Sequence, residues 1–128
     1  MNAHSLNILL VDDEVIVTNY IKDVLTTWGH AVDVLHDGAE AFIRLSEQPY
    51  HYHLLMTDHF MWKVSGVELM AKLQEKPFKG RIVVISGYLT QELKAQYRSL
   101  GAYKIIRKPL GHDALRQAIE GLVPTALE

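Results

Sequence analysis

The chain has 128 residues, 13 Lys+Arg, 15 Asp+Glu and 7 His, for a formal net charge of −2, and no cysteine. That length suits one domain with a real core, and the missing thiols exclude disulfides, thiolate metal centres, Fe–S clusters and cysteine nucleophiles. Nothing resembles a ~20-residue apolar span or an N-terminal secretory signal, and the absence of a Lys/Arg cluster leaves no electrostatic footprint for nucleic acid. The expected address is the cytoplasm.

Residues 6–11 form a nearly continuous apolar run, as a strand covered on both faces requires, and end abruptly in Asp12-Asp13-Glu14. Val17, Ile21, Val24, Leu25 and Trp28 then recur at helical spacing until Gly29. Residues 31–35 read as a second strand, and Asp37-Gly38 opens a helix marked by Ala39, Phe42, Ile43 and Leu45. The third strand covers residues 52–57 and is closed by Asp58, followed by a loop through Val64. Ser65 is placed to cap the third helix, with Glu68 in the capping-box position and Gly66, Leu69, Met70 and Leu73 along one face. Residues 81–86 (Arg-Ile-Val-Val-Ile-Ser) are the cleanest strand signal. The fourth helix, residues 90–100, has a thin apolar stripe of Leu93, Tyr97 and Leu100. Residues 103–107 form a fifth strand ended by Lys108-Pro109, and residues 110–122 form a last helix ended by Pro124. Five such units imply a parallel α/β sheet wound with helices on both faces. The terminal Leu127-Glu128 is either native or a cloning scar, beyond which the natural chain would continue.

In a parallel sheet the residues closing each strand gather at one edge, where open α/β sheets bind ligands. Here those residues are Asp12, Asp13, Asp58, Ser86 and Lys108. Two like charges 4 Å apart repel by about 1 kcal/mol in water and about 4 kcal/mol at an effective dielectric of 20. Three carboxylates therefore need a counter-charge or raised pKa values. An all-oxygen set favours Mg²⁺, with Mn²⁺ as the alternative, over Zn²⁺. With the Lys108 ammonium beside it, such a site suits an incoming phosphoryl group.

These residues resemble the receiver domain of two-component response regulators, the CheY-like family of the single-domain chemotaxis regulator. The resemblance rests on residues 8–14 (Ile-Leu-Leu-Val-Asp-Asp-Glu), on 54–58 (Leu-Leu-Met-Thr-Asp) followed by Met61 and Gly66, on Val83 through Gly87, on Gly101-Ala102 and on Lys108-Pro109. It covers residues ~6–122 of a single domain spanning 1–128. It implies a (βα)5 flavodoxin-like fold with strand order 2-1-3-4-5, placing Asp12 and Asp13 beside Asp58. By the same resemblance Asp58 is the phosphoacceptor, Asp13 a direct Mg²⁺ ligand, Asp12 a ligand through water, and the Phe60 backbone carbonyl a third ligand. Ser86 and Lys108 become the phosphoryl-sensing pair, and the Lys108-Pro109 peptide is expected to be cis. A sensor histidine kinase or phosphotransfer protein is the implied donor. The output is a partner protein or a missing C-terminal effector domain, bound through the helix 4–strand 5–helix 5 face; a homodimer is left open.

Three positions depart from the family pattern. The loop after the acceptor reads Met61-Trp62 in place of Met-Pro. The strand-5 switch position, normally Tyr or Phe, is Ile105, so no ring can swing there; Tyr103, two residues away, is the candidate substitute. Phe60 and Tyr88, at the two positions that tune phosphoryl lifetime, are both aromatic. Two rings over the site can exclude the water that hydrolysis needs.

Blander readings stand beside these. His51, His53 and His59 offer a zinc site, but loop histidines are the commoner case; His30 and His36 read as turn or strand-edge residues. Trp28 reads as core, and Trp62 as either a lid or a partner contact. Helix 4 is either lightly docked or a mobile partner surface decorated by Lys94, Tyr97, Tyr103 and Lys104. Glu14 is read as a first-turn acid of helix 1, favoured by the helix dipole, over a third acidic neighbour of the metal. The rival functions are a haloacid-dehalogenase-type Mg²⁺ phosphatase, a flavodoxin-like FMN carrier, and a degenerate receiver regulated without phosphate. The phosphatase needs a second acid two residues after its nucleophile and usually a cap insertion; Glu14 stands there after Asp12 and Phe60 after Asp58, and 128 residues leave little space for a cap. The FMN carrier needs a phosphate loop where this chain has acids.

Overall fold

The structure is a computed structural model that describes residues 5–122. Along the chain run β1 (Asn7–Val11), α1 (Val15–Thr27), β2 (Ala31–Leu35), α2 (Gly38–Glu47), β3 (Leu54–Asp58), α3 (Gly66–Leu73), β4 (Arg81–Ser86), α4 (Gln91–Ser99), β5 (Lys104–Arg107) and α5 (His112–Ile119). The five strands form one parallel sheet in the order β2-β1-β3-β4-β5, as the sequence and its family resemblance predict. Pro124 and Leu127-Glu128 lie outside the described residues.

Alternation along the strands divides the core in two. Ile8, Leu10, Leu54, Met56, Val83 and Ile85 pack against Ile21, Val24 and Leu25 of α1 and Leu115, Ala118 and Ile119 of α5. Leu9, Val11, Leu55, Ile82 and Val84 face Ala41 and Leu45 of α2, Leu69, Met70 and Leu73 of α3, and Tyr97 of α4. Each fully buried aliphatic side chain contributes about 1.5–3 kcal/mol over its exposed state. The central strand, β3, is buried along its whole length, which explains why its sequence lacks a polar face.

Local signals set the helix starts. Asp37 caps α2 by accepting the Ala39 N–H. Ser65 and Glu68 form the expected capping box at the start of α3. Thr90 accepts the Leu93 N–H at the start of α4. The Lys108-Pro109 peptide is cis, as the family resemblance implies.

Boundaries differ at the ends. β3 begins at Leu54 rather than 52 and includes Asp58, which pairs with Ile85 of β4. Asp58 is thus held by the ladder rather than by the loop. β5 begins at Lys104, so its alternation does not reach Tyr103. Tyr103 consequently packs against the α1/α5 side, and its hydroxyl donates to the Glu120 carbonyl, whereas Ile105 lies against the α2–α4 side. Tyr103 and Ile105 therefore do not share a face, and Tyr103 cannot take over the Ile105 position. Trp28 is half-buried at the end of α1 rather than enclosed in the core.

Candidate functional site

The carboxyl ends of β1, β3 and β5 bring four charged groups into contact. Lys108 Nζ lies 2.7 Å from Asp12 Oδ2, 2.7 Å from Glu14 Oε1 and 3.2 Å from Asp58 Oδ2. Asp12 and Asp58 are buried, while Glu14 reaches the same point from an exposed position. Backbone donors complete the frame: Glu14 N donates to Asp12 Oδ1 and His59 N donates to Asp58 Oδ1, at 2.9 and 2.7 Å.

The electrostatics follow from crowding. Burial, and then the charge of Asp12, push Asp58 up to about 6, against the pull of Lys108 and of the His59 N–H. Asp12 is raised for the same first reason, and Lys108 opposes the shift. Burial works against the Lys108 ammonium, but its contacts with Asp12 and Glu14 and the charges of Asp12 and Asp58 outweigh it and hold its pKa above the ordinary lysine value. One ammonium thus compensates three acids that remain short of positive charge.

Carboxylate oxygens of Asp12, Glu14 and Asp58 lie within 4.8 Å of one another. Asp12 Oδ2 is buried and makes no hydrogen bond of good geometry, its contact with Lys108 being one of charge. A hard divalent cation fits this set, because it takes carboxylate oxygens and supplies the missing charge. Glu14 is therefore a third acidic neighbour of the pocket rather than a first-turn acid. It occupies the cap position before α1, outside the first turn, and its side chain turns to Lys108. Asp13 is exposed at the strand end and stands outside this trio. No group of histidines among the described residues is spaced for a metal. His53 instead accepts the Asn7 N–H through Nδ1.

Ser86 is buried at the end of β4, where its hydroxyl donates to the Tyr88 carbonyl and accepts the Tyr88 N–H. Phe60 and Tyr88, each 57% exposed, project from adjacent loops with ring centroids 5.8 Å apart. Met61 is half-buried, its sulfur contacted by the Thr57 hydroxyl. Trp62 is 69% exposed with Lys63 over its ring, so it is not a buried lid.

Two residues near the pocket were not singled out by sequence for what they do here. His36 donates through Nδ1 to the Asp12 carbonyl; nothing in the linear pattern signals this. The His59 ring is hydrogen-bonded to Tyr97, the largest completely buried side chain among the described residues. Tyr97 therefore does not decorate the surface of α4; its place in the thin apolar stripe was the correct signal. Burial, then the charge of Asp58, raise the Tyr97 phenol, and burial lowers His59. Both shifts favour the neutral forms, a protonated hydroxyl beside an uncharged imidazole, and the imidazole tautomer sets which of the two donates.

The family model for the response regulator receiver domain matches residues 8–120. The chain belongs to the response regulator receiver family. The gliding motility regulatory protein of Myxococcus xanthus is 32% identical over 123 residues, covering 94% of this chain and 16% of that protein. The chemotaxis protein CheY of Treponema pallidum is 28% identical, with 95% of this chain and 85% of that protein aligned. A chain of the CheX–CheY–BeF3–Mg²⁺ complex from Borrelia burgdorferi superposes with a TM-score of 0.84 at 26% identity, over 89% of this chain and 86% of that one. Receiver domains are signalling modules rather than classical enzymes and work with histidine kinases and output partners. No helix among the described residues is long and apolar enough to cross a membrane.

Proposed function

We propose that this receiver accepts a phosphoryl group on Asp58 from the phosphohistidine of a sensor kinase or phosphotransfer protein, in the presence of Mg²⁺ or Mn²⁺. The observation that carries this reading is the contact of Asp12, Glu14, Asp58 and Lys108 at the end of the central strand. An oxygen of Asp58 attacks phosphorus, the P–N bond to the donor imidazole breaks, and an acyl phosphate forms. The cation, when bound, neutralises charge on the phosphoryl oxygens; Asp12, Asp58, the Phe60 carbonyl and either Asp13 or Glu14 are the groups that would hold it. Lys108 is released from the carboxylates to pair with the phosphoryl oxygens. Ser86 trades its bonds with the Tyr88 backbone for one to the phosphoryl group. The strand ladder and the His59 N–H bond hold Asp58 in place for this attack.

Two surfaces support partner binding. A groove of about 520 Å³ between Ile16, Val17, Tyr20, Pro109 and Leu110 adjoins Lys108, and the neighbouring Val15 and Ile16 are exposed; an apolar surface beside the acceptor suits the donor protein. On the far edge, Arg98, Tyr103, Lys104, Ile105, Gln117 and Glu120 line a groove of about 490 Å³ along β5. That edge suits the output partner, an effector domain or a second copy. Beryllofluoride with Mg²⁺ should perturb Trp62 fluorescence in the wild type, and Asp58→Asn should abolish the response. An equal response in the variant refutes the acceptor assignment.

A further inference from the structure

The residue after the acceptor is tied at three points. His59 N donates to Asp58 Oδ1, its carbonyl accepts Gly66 N at 2.9 Å, and its ring is hydrogen-bonded to the Tyr97 hydroxyl. The His59 and Tyr97 rings also meet edge to face, with centroids 5.6 Å apart. Gly66 makes room for this: a Cβ there would press on the Tyr97 hydroxyl and lie 2.7 Å from the Asp58 carbonyl. Tyr97 is in turn the one fully buried side chain of α4, with Leu93 and Leu100 only partly buried beside it. The anchor of α4 is thus bonded to the residue that bonds the acceptor. Ile105, at the strand position where the family carries a ring, has no polar atom and lies against the same core as Tyr97.

We propose that the Tyr97 hydroxyl, acting through His59, positions the segment that follows Asp58 and carries the state of that carboxylate to α4. This rests on Asp58 being the phosphoacceptor. A phosphoryl group, or its beryllofluoride mimic, redraws the hydrogen bonds at Asp58 and hence the position of the His59 backbone. The imidazole cannot follow without loosening or re-aiming its bond to Tyr97. The Val67 backbone N–H, the other group at this hydroxyl, can donate but cannot accept, so loss of the imidazole leaves the buried O–H without an acceptor, and Tyr97 moves with the imidazole and takes α4 along. The coupling runs through one polar bond between two discrete arrangements. Tyr97 is a positioning residue; it touches no reacting atom.

The test is amide NMR of the full chain titrated with beryllofluoride and Mg²⁺. In the wild type, amides of the pocket (His59, Gly87) and of α4 should both shift. Tyr97→Phe should keep the pocket shifts, with an apparent affinity within about threefold of wild type, while its α4 shifts fall below half. His59→Ala breaks the same bond from its more accessible end and should also cut the α4 shifts, so the result stands even if Tyr97→Phe folds poorly. Ile105→Ala should leave the α4 shifts in place. Undiminished α4 shifts in the two bond-breaking variants overturn the inference. So does a wild type whose pocket responds while α4 stays still, a result that leaves the Asp58 reading intact. A wild type with no pocket response removes both.

Discussion

At the scale of single residues, the pocket is held in a state of incomplete neutralisation. Asp58 ionises near 6 instead of at its usual 3.8, because burial and the Asp12 charge oppose it. In the apo protein this raised value costs stability as pH climbs from about 4 through 6, since the unfolded chain ionises earlier at no penalty. The full shift corresponds to about 3 kcal/mol. Asp58→Asn keeps the acceptor for the His59 N–H but gives up the contact with Lys108, so a gain of about 1–2 kcal/mol is expected at pH 7.5 without metal. The gain should vanish near pH 4, as read by urea unfolding at both values. His30, buried and held below its usual 6.5 while it accepts the Leu6 N–H, weakens both proteins alike on the acid side and cancels in the difference. A variant less stable than wild type at pH 7.5 would contradict the electrostatic account. The paired rings of Phe60 and Tyr88 give a second prediction: Tyr88→Ala opens the approach to the acyl phosphate and shortens its half-life about tenfold, followed by phosphoryl release after loading with a small phosphodonor. A short wild-type lifetime unchanged by the substitution discards that role. Asp12, Asp58 and Lys108 were legible from strand-end position alone, whereas Phe60 and Tyr88 came from the family resemblance. Glu14 was not, because its address in sequence fits a helix-dipole acid equally well and only the reach of Lys108 separates the two.

At the scale of elements, the signals that worked were those with a local mechanism. Ser65 and Glu68 satisfy each other's backbone partners, so α3 starts where the sequence places it. Residues 31–35 and 81–86 are bounded as read, since apolar strands between turn residues leave little freedom. β5 was harder: a four-residue edge strand has too short an alternation to fix which face a flanking ring takes, and Tyr103 falls on the opposite face from Ile105. Tyr97 shows the same ambiguity on a helix, because one tyrosine in a weak stripe reads equally as core or as contact surface. Its burial becomes intelligible only with Gly66 facing it from α3. Gly66→Ala therefore tests the packing of two elements together. The added methyl meets the Tyr97 hydroxyl on one side and the Asp58 backbone on the other, and overpacking of this kind costs about 1–3 kcal/mol. The loss should appear in chemical denaturation, and the Asp58 and Tyr97 amides should move most in the NMR spectrum. A Gly66→Ala protein as stable as wild type would mean that the α3–α4 contact yields easily.

At the scale of the whole molecule, the parallel winding makes the pocket unavoidable. Every strand delivers its last residue to one edge, and the order β2-β1-β3-β4-β5 sets β1 beside β3. The acids of those two strands are then crowded whether or not a cation is present. Alternating elements in the sequence were enough to foresee this convergence, whereas the strand order itself came from the resemblance to a known family. The fold meets the crowding with one distant group: Lys108 lies 94 residues from Glu14 in sequence and 2.7 Å away in space. Lys108→Ala removes that compensation and leaves Asp12, Glu14 and Asp58 facing one another. Stripping the cation from a mostly buried cluster should cost about 2–4 kcal/mol in metal-free buffer at pH 7.5. A divalent cation supplies the same charge from a different source, so millimolar Mg²⁺ should stabilise Lys108→Ala more than it stabilises the wild type. Thermal unfolding with EDTA and with Mg²⁺ reads both effects: the gap between the proteins should narrow on adding metal. A gap that stays constant would mean that Lys108 and the cation do not answer the same carboxylates.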